Sequence, residues 1–130
     1  MLRWEKFTID HYPVVEQWWR DWGWAAVLPS MLSDDGIIVY RDDKPIYAGW
    51  IYFTQTSLCW FEFVVSDKNA TKEEKKGGVD YLIQTAETIM KYNGASMIWH
   101  QTNNESLIHI LKRNGWVEGD LNCTQVCKRL

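Results

Sequence analysis

The chain has 130 residues, room for one domain and too few for two. Hydrophobic residues make up 46% and charged residues 24%, a balance that builds a core and excludes a disordered chain. The formal net charge of −3 argues against a nucleic-acid partner, which calls for a basic surface.

Nine tryptophans are spread from Trp4 to Trp116 rather than gathered in one motif. A bulky aromatic core with a few exposed rings and a dedicated aromatic binding surface are both open readings. The opening MLRWEKFTID has no apolar run of the secretory kind, and no stretch reaches the roughly 18–20 apolar residues of a membrane span, so a cytoplasmic location away from membranes is expected. Cys59, Cys123 and Cys127 are an odd number and read as reduced thiols. The spacing of Cys123 and Cys127, without a nearby histidine, is a poor zinc site, and no metal is expected.

In chain order, residues 2–7 suit a short strand. Asp10 reads as an N-cap, with Pro13 early in a helix whose apolar stripe is Val14, Val15, Trp18, Trp19 and Trp22. Gly23 ends it. Residues 25–32 read as a short second helix or a turn, interrupted at Pro29. Three β-rich runs follow at 37–42, 45–54 and 58–66. They are joined by the short turns Asp43-Lys44 and Gln55-Thr56-Ser57, which predicts an antiparallel meander. Gly49 inside a strand marks a bulge or a close backbone approach. After the charged segment 67–76, Val79, Leu82, Ile83, Ala86, Ile89 and Met90 keep helical spacing as far as Tyr92-Asn93-Gly94. Residues 96–102 read as a buried strand, parallel to 58–66 because a helix connects the two. A helix over 105–113 closes at Asn114-Gly115, and 122–128 reads as a last strand.

The order β-α-α-β-β-β-α-β-α-β, an α+β (α/β) domain spanning 1–130 with a mixed central sheet flanked by helices, resembles the GNAT superfamily of N-acetyltransferases. The most specific local match is NNESLIHILKRNGW (103–116). Here Asn104, an apolar helix, Arg113, Asn114, Gly115 and Trp116 fall on the family's pattern. A second match is Glu74-Lys75-Lys76-Gly77-Gly78-Val79. It falls on the family's Arg/Gln-x-x-Gly-x-Gly/Ala motif, although Glu74 replaces the basic or amide residue and Val79 the second small one. Glycines there let the backbone approach closely, and the N–H groups at a helix start bind a diphosphate. Thr71 and Glu74 also make a capping box, which would start the helix earlier and consume those N–H groups. Both starts remain open.

The resemblance implies acetyl-CoA as co-substrate. It would be held by Val64 and Val65 on the strand, by Lys76, Gly77, Gly78 and Val79 at the helix start, and by Asn104, with a backbone N–H near Val65 polarising the thioester carbonyl. The acceptor would be a small-molecule or protein amine, and relatives often form homodimers. Where the family often has a tyrosine acid this chain has Leu111.

Glu62 is the only carboxylate within 58–66 and a candidate general base, if flanking aromatics raise its pKa rather than leave it on a solvent face. Alternation places Trp60, Glu62 and Val64 on one face and Phe61, Phe63 and Val65 on the other. His100 is a second candidate base or a hydrogen-bonded core residue. Cys59, in an apolar strand, reads as structural. The implied activity is direct acetyl transfer. The alternative is a catalytically inactive GNAT-fold binding or structural protein, of the small, partly degenerate kind found in phages.

Overall fold

The computed structural model describes residues 1–130. Five strands form one mixed sheet in the order β1-β2-β3-β4-β5: β1 Leu2–Lys6, β2 Asp35–Arg41, β3 Lys44–Phe53, β4 Leu58–Ser66 and β5 Met97–Trp99. The first four pair antiparallel and β5 joins β4 in parallel, because the chain crosses over through α2 (Lys72–Lys75) and α3 (Gly78–Tyr92). The β2–β3 turn lies at Asp42-Asp43, one residue earlier than the composition suggests.

Each face of the sheet carries its own core. On one face Leu82, Ala86 and Met90 of α3 pack on Ile37, Val39, Ile46, Ile51, Cys59 and Phe61. These α3 positions recur at helical spacing, so the stripe legible in the sequence is the stripe that is buried. On the other face Val15, Trp18 and Trp19 of α1 (Tyr12–Asp21) cover Phe7, Ile38, Ala48, Trp50 and Val65. No helix is long and apolar enough to cross a membrane.

Two local expectations are corrected and one is narrowed. Asp10 lies inside a 3-10 turn, Ile9–His11, and does not cap α1; Thr8 opens that turn and its N–H bonds His11 Nδ1 at 2.8 Å. Of the two readings of residues 25–32, the turn is the one found, a 3-10 turn at Pro29–Met31 that opens on the proline, where the missing N–H costs nothing. Residues 122–128 form no strand, and their backbone makes no backbone–backbone hydrogen bond. Val126 is the only bulky apolar side chain in that stretch, so strand pairing would bury little.

Gly49 marks both a bulge and a close approach. A Cβ there would stand 2.5 Å from Cζ of Phe61, a ring that must pass beneath it to reach α3. The β3–β4 register shifts at the same place. Gly49→Ala is therefore expected to destabilise the protein by about 1–3 kcal/mol through overpacking, read as a lower denaturant midpoint with an unchanged slope.

Candidate active site

The site begins with that register shift. β3 advances from Ala48 to Trp50 while β4 steps from Val65 back to Glu62, so β4 carries one extra residue. Phe63 absorbs it with φ of +59°, a left-handed conformation that costs an aromatic residue about 1–2 kcal/mol. The bulge overturns simple alternation. Phe61 packs toward α3, whereas Glu62, Phe63 and Val65 all lie toward the α1 face, and Val64 turns toward the α3 core.

The β4–β5 ladder stops at Trp60 opposite Trp99, and the strands part beyond it. Side chains take over where the ladder ends. Glu62 Oε1 accepts the Gln101 N–H at 3.2 Å. His100 Nδ1 lies against the Phe61 carbonyl; since a carbonyl only accepts, Nδ1 carries the proton. His100 Nε2 is then a buried acceptor without a partner, on a side chain only 5% exposed.

Met31, Tyr52, Trp60, Glu62, Phe63, Gln101 and Gln125 line a cleft of about 410 Å³ beside this splay. The Tyr52 and Phe63 rings meet edge to face at 5.9 Å, and Tyr52 donates its hydroxyl to the Met31 carbonyl at 2.7 Å, which fixes the far wall. In these surroundings burial pushes the Glu62 carboxyl up to about 7, against the lowering effect of the Gln101 N–H. Burial also lowers His100, partly offset by its bond to the Phe61 carbonyl. The Glu62 Oε2 to His100 Nδ1 distance of 3.8 Å is beyond hydrogen-bond range.

At the other end of β4 both possible helix starts are realised in succession. The Thr71–Glu74 capping box forms and initiates α2, a single turn. Lys76, with ψ of 122°, breaks that turn, and Gly77 at φ of +72° redirects the chain so that α3 starts afresh at Gly78. The N–H groups of Gly77, Gly78 and Val79 consequently take no backbone partner. Arg41 of β2 steadies the loop by donating to the carbonyls of Glu74, at 3.1 Å, and Lys76. The nearest acid in the first turn of α3 is Asp80, held by Arg113 at 2.7 Å and Asn114 at 2.9 Å, so its charge is already partnered. The loop thus offers three N–H groups without backbone partners at one helix start, the donor set that an anion such as a diphosphate would need.

Lys76, Gly77, Gly78 and Val79 are thus together, and Val64 and Val65 lie on β4 just past the bulge, where Val65 is paired with Ala48 of β3 and β5 no longer covers the strand. Asn104 spends its side-chain oxygen on capping α4 (Glu105–Arg113), where it accepts the Leu107 N–H at 3.1 Å. Leu111 is buried, 7% exposed. The sequence reading missed Arg41, Gln101 and the positive φ of Phe63. Each depends on a partner distant in the chain and leaves no local pattern.

Among solved structures, the chain superposes on the ribosomal-protein alanine N-acetyltransferase of Escherichia coli with a TM-score of 0.70, 11% identity, and coverage of 92% of this chain and 80% of that one. A GNAT-family acetyltransferase of Streptococcus pneumoniae TIGR4 gives a TM-score of 0.69 at 13% identity, covering 100% of this chain and 98% of that one. The fold is the GNAT fold. An aminoglycoside acetyltransferase from an uncultured soil sample matches over 98% of this chain and 99% of that one, with a TM-score of 0.68 and 14% identity. No family model matches the sequence, and no curated protein matches it. The acceptors named for these GNAT-fold enzymes are chemically unlike one another, a protein alanine in one case and an aminoglycoside in another.

Proposed function

We propose that the protein transfers the acetyl group of acetyl-CoA to an amine by direct attack, with Glu62 as general base. The observation that carries this reading is a carboxyl of pKa about 7 in the cleft where β4 and β5 part. A base poised near the working pH is both available in its ionised form and able to hold a proton once it has taken one.

Gly77, Gly78 and Val79 would receive the diphosphate on their N–H groups, with Lys76 beside them. The backbone of Val64 and Val65 would follow the pantetheine arm along the splay, and Asn104 would contribute through its amide N–H₂, because its oxygen is committed to the α4 cap. Acetyl-CoA supplies the activated acetyl thioester. The amine enters the Tyr52–Trp60–Phe63 cleft, where aromatic rings exclude water, and gives its proton to Glu62. His100 ties β5 to the Phe61 carbonyl and so holds the splay at a fixed width. With Leu111 buried where the resemblance places a tyrosine, the leaving thiolate takes its proton from water.

Calorimetric titration with acetyl-CoA and with desulfo-CoA is expected to show saturable binding of both, well below millimolar. No heat at millimolar ligand would overturn the reading. Binding without turnover on any amine would instead favour the inactive, phage-type GNAT-fold protein.

A further inference from the structure

Two indoles follow α1. Trp22 donates its Nε1–H to the carbonyl of Ser66, the last residue of β4, at 2.9 Å. Trp24 stacks on Trp22 with centroids 5.5 Å apart and planes 16° from parallel, and it is 47% exposed. Lys68 and Lys75 bring their ammonium groups to 5.4 and 5.7 Å from the Trp22 ring. Lys75 Nζ also touches Ser66 Oγ at 3.4 Å, and Lys68 Nζ reaches the Asp21 carbonyl at 3.4 Å.

Neither ammonium is paired with a carboxylate, whereas Lys44 nearby is shared between Asp67 and Glu74. Lys75 is half-buried, and burial pulls its pKa down although Asp67 lies close enough to raise it. A partly buried cation without a counter-ion is unfavourable until an anion arrives. Lys75 ends α2 and precedes Gly77 by two positions, so the two Cα atoms are no more than about 7 Å apart. An open aromatic face, two unpaired cations and the diphosphate loop therefore adjoin one another.

We propose that Trp22, Trp24, Lys68 and Lys75 seat the nucleotide end of the acyl donor, with a purine stacked on Trp24 and a phosphate monoester between the two lysines. This rests on the acetyl-CoA reading but is separable from it. A stacked base recognises any purine through its π face, and the lysines supply the charge that selects a phosphorylated ribose.

The test uses the full chain with adenosine 3′,5′-bisphosphate as probe, followed by calorimetry. Wild type is expected to bind it. Trp24→Ala is expected to weaken it about 10-fold, Trp24→Phe to stay within about 3-fold of wild type, and Lys68→Ala to weaken it with a shallower salt dependence. Acetyl-phosphopantetheine, which lacks the nucleotide, is expected to bind wild type and Trp24→Ala alike. Circular dichroism confirms that each variant is folded, and the fully surface substitution Lys68→Ala carries the test if Trp24→Ala is not. Equal affinity of wild type and both the Trp24→Ala and Lys68→Ala variants for acetyl-CoA would overturn the seat and leave the acetyltransferase reading standing. Bisphosphate binding that depends on Trp24, with no binding of acetyl-CoA, would uphold the seat and remove that reading. No binding of either ligand would overturn both.

Discussion

Glu62→Gln is expected to lower turnover by about 10²–10⁴-fold while leaving acetyl-CoA affinity nearly unchanged. Glutamine keeps an oxygen for the Gln101 N–H, so the end of the β4–β5 ladder is preserved and the proton-accepting function alone is lost. The wild-type rate should climb with pH through about 7, as the carboxyl ionises, and the variant should lose that limb. An unchanged rate would assign the carboxylate a purely structural place.

The same substitution tests the perturbed carboxyl without any substrate. Glu62 titrates near 7 in the folded protein and near 4.5 when exposed, so the folded state binds the extra proton between those values. Wild-type stability contributed by this group therefore falls as pH rises from about 4.5 to 7, and the full cost is present above 7. Glu62→Gln removes it, and its stability relative to wild type should improve across that interval. With 23% of the side chain exposed, screening by water leaves a gain on the order of 1 kcal/mol at pH 8. A difference that does not vary with pH would show the carboxyl to titrate normally.

Trp50→Ala is expected to produce the largest loss of stability, about 3–5 kcal/mol, a large share of the ~5–15 kcal/mol that holds a typical domain together. Its side chain is fully buried, with Phe7 at 5.1 Å edge to face and Trp19 at 5.6 Å. It is the centre of the core beneath α1, directly opposite Glu62 in the β3–β4 register. Trp50→Phe should lose much less, because the indole Nε1–H is buried without an acceptor and its removal offsets part of the lost packing. Urea unfolding of the two variants side by side gives the comparison. Equal losses would show that the unpaired donor costs nothing.

The elements that were legible in the sequence are those whose burial is set by local periodicity. α3 and α4 keep their apolar stripes and their stops, and the strand–helix–strand order makes β4 and β5 parallel. The site was legible only in outline. Glu62 stood out as the lone acid of an aromatic strand, but the face it occupies is shared with Phe63 because of a bulge, and nothing in Phe-Glu-Phe-Val announces a positive φ. The bulge lies beside the Gly49–Phe61 approach, which spans two strands. The glycine loop looked like a choice between two helix starts because local rules score each alone; the chain makes both, with Lys76 and Gly77 as the joint. Trp22 and Arg41 find their partners 44 and 33 residues away, beyond any local pattern.

The extra residue in β4 also bears on how such a site is inherited. Upstream of Phe63 the strand gives Cys59 and Phe61 to the core under α3; downstream it gives Val65 to the core under α1. Loss of a single codon between 62 and 64 would restore an unbroken alternation that still leaves Cys59 and Phe61 under α3 and Val65 under α1, and would remove only the doubled step that sets Glu62 and Phe63 side by side on one face. The two cores therefore keep their side chains with or without the extra residue, and the bulge serves the cleft alone. Point substitutions can erode the chemistry at Glu62 one step at a time, whereas a one-residue deletion here removes the bulge beside the cleft and spares the phase of both cores.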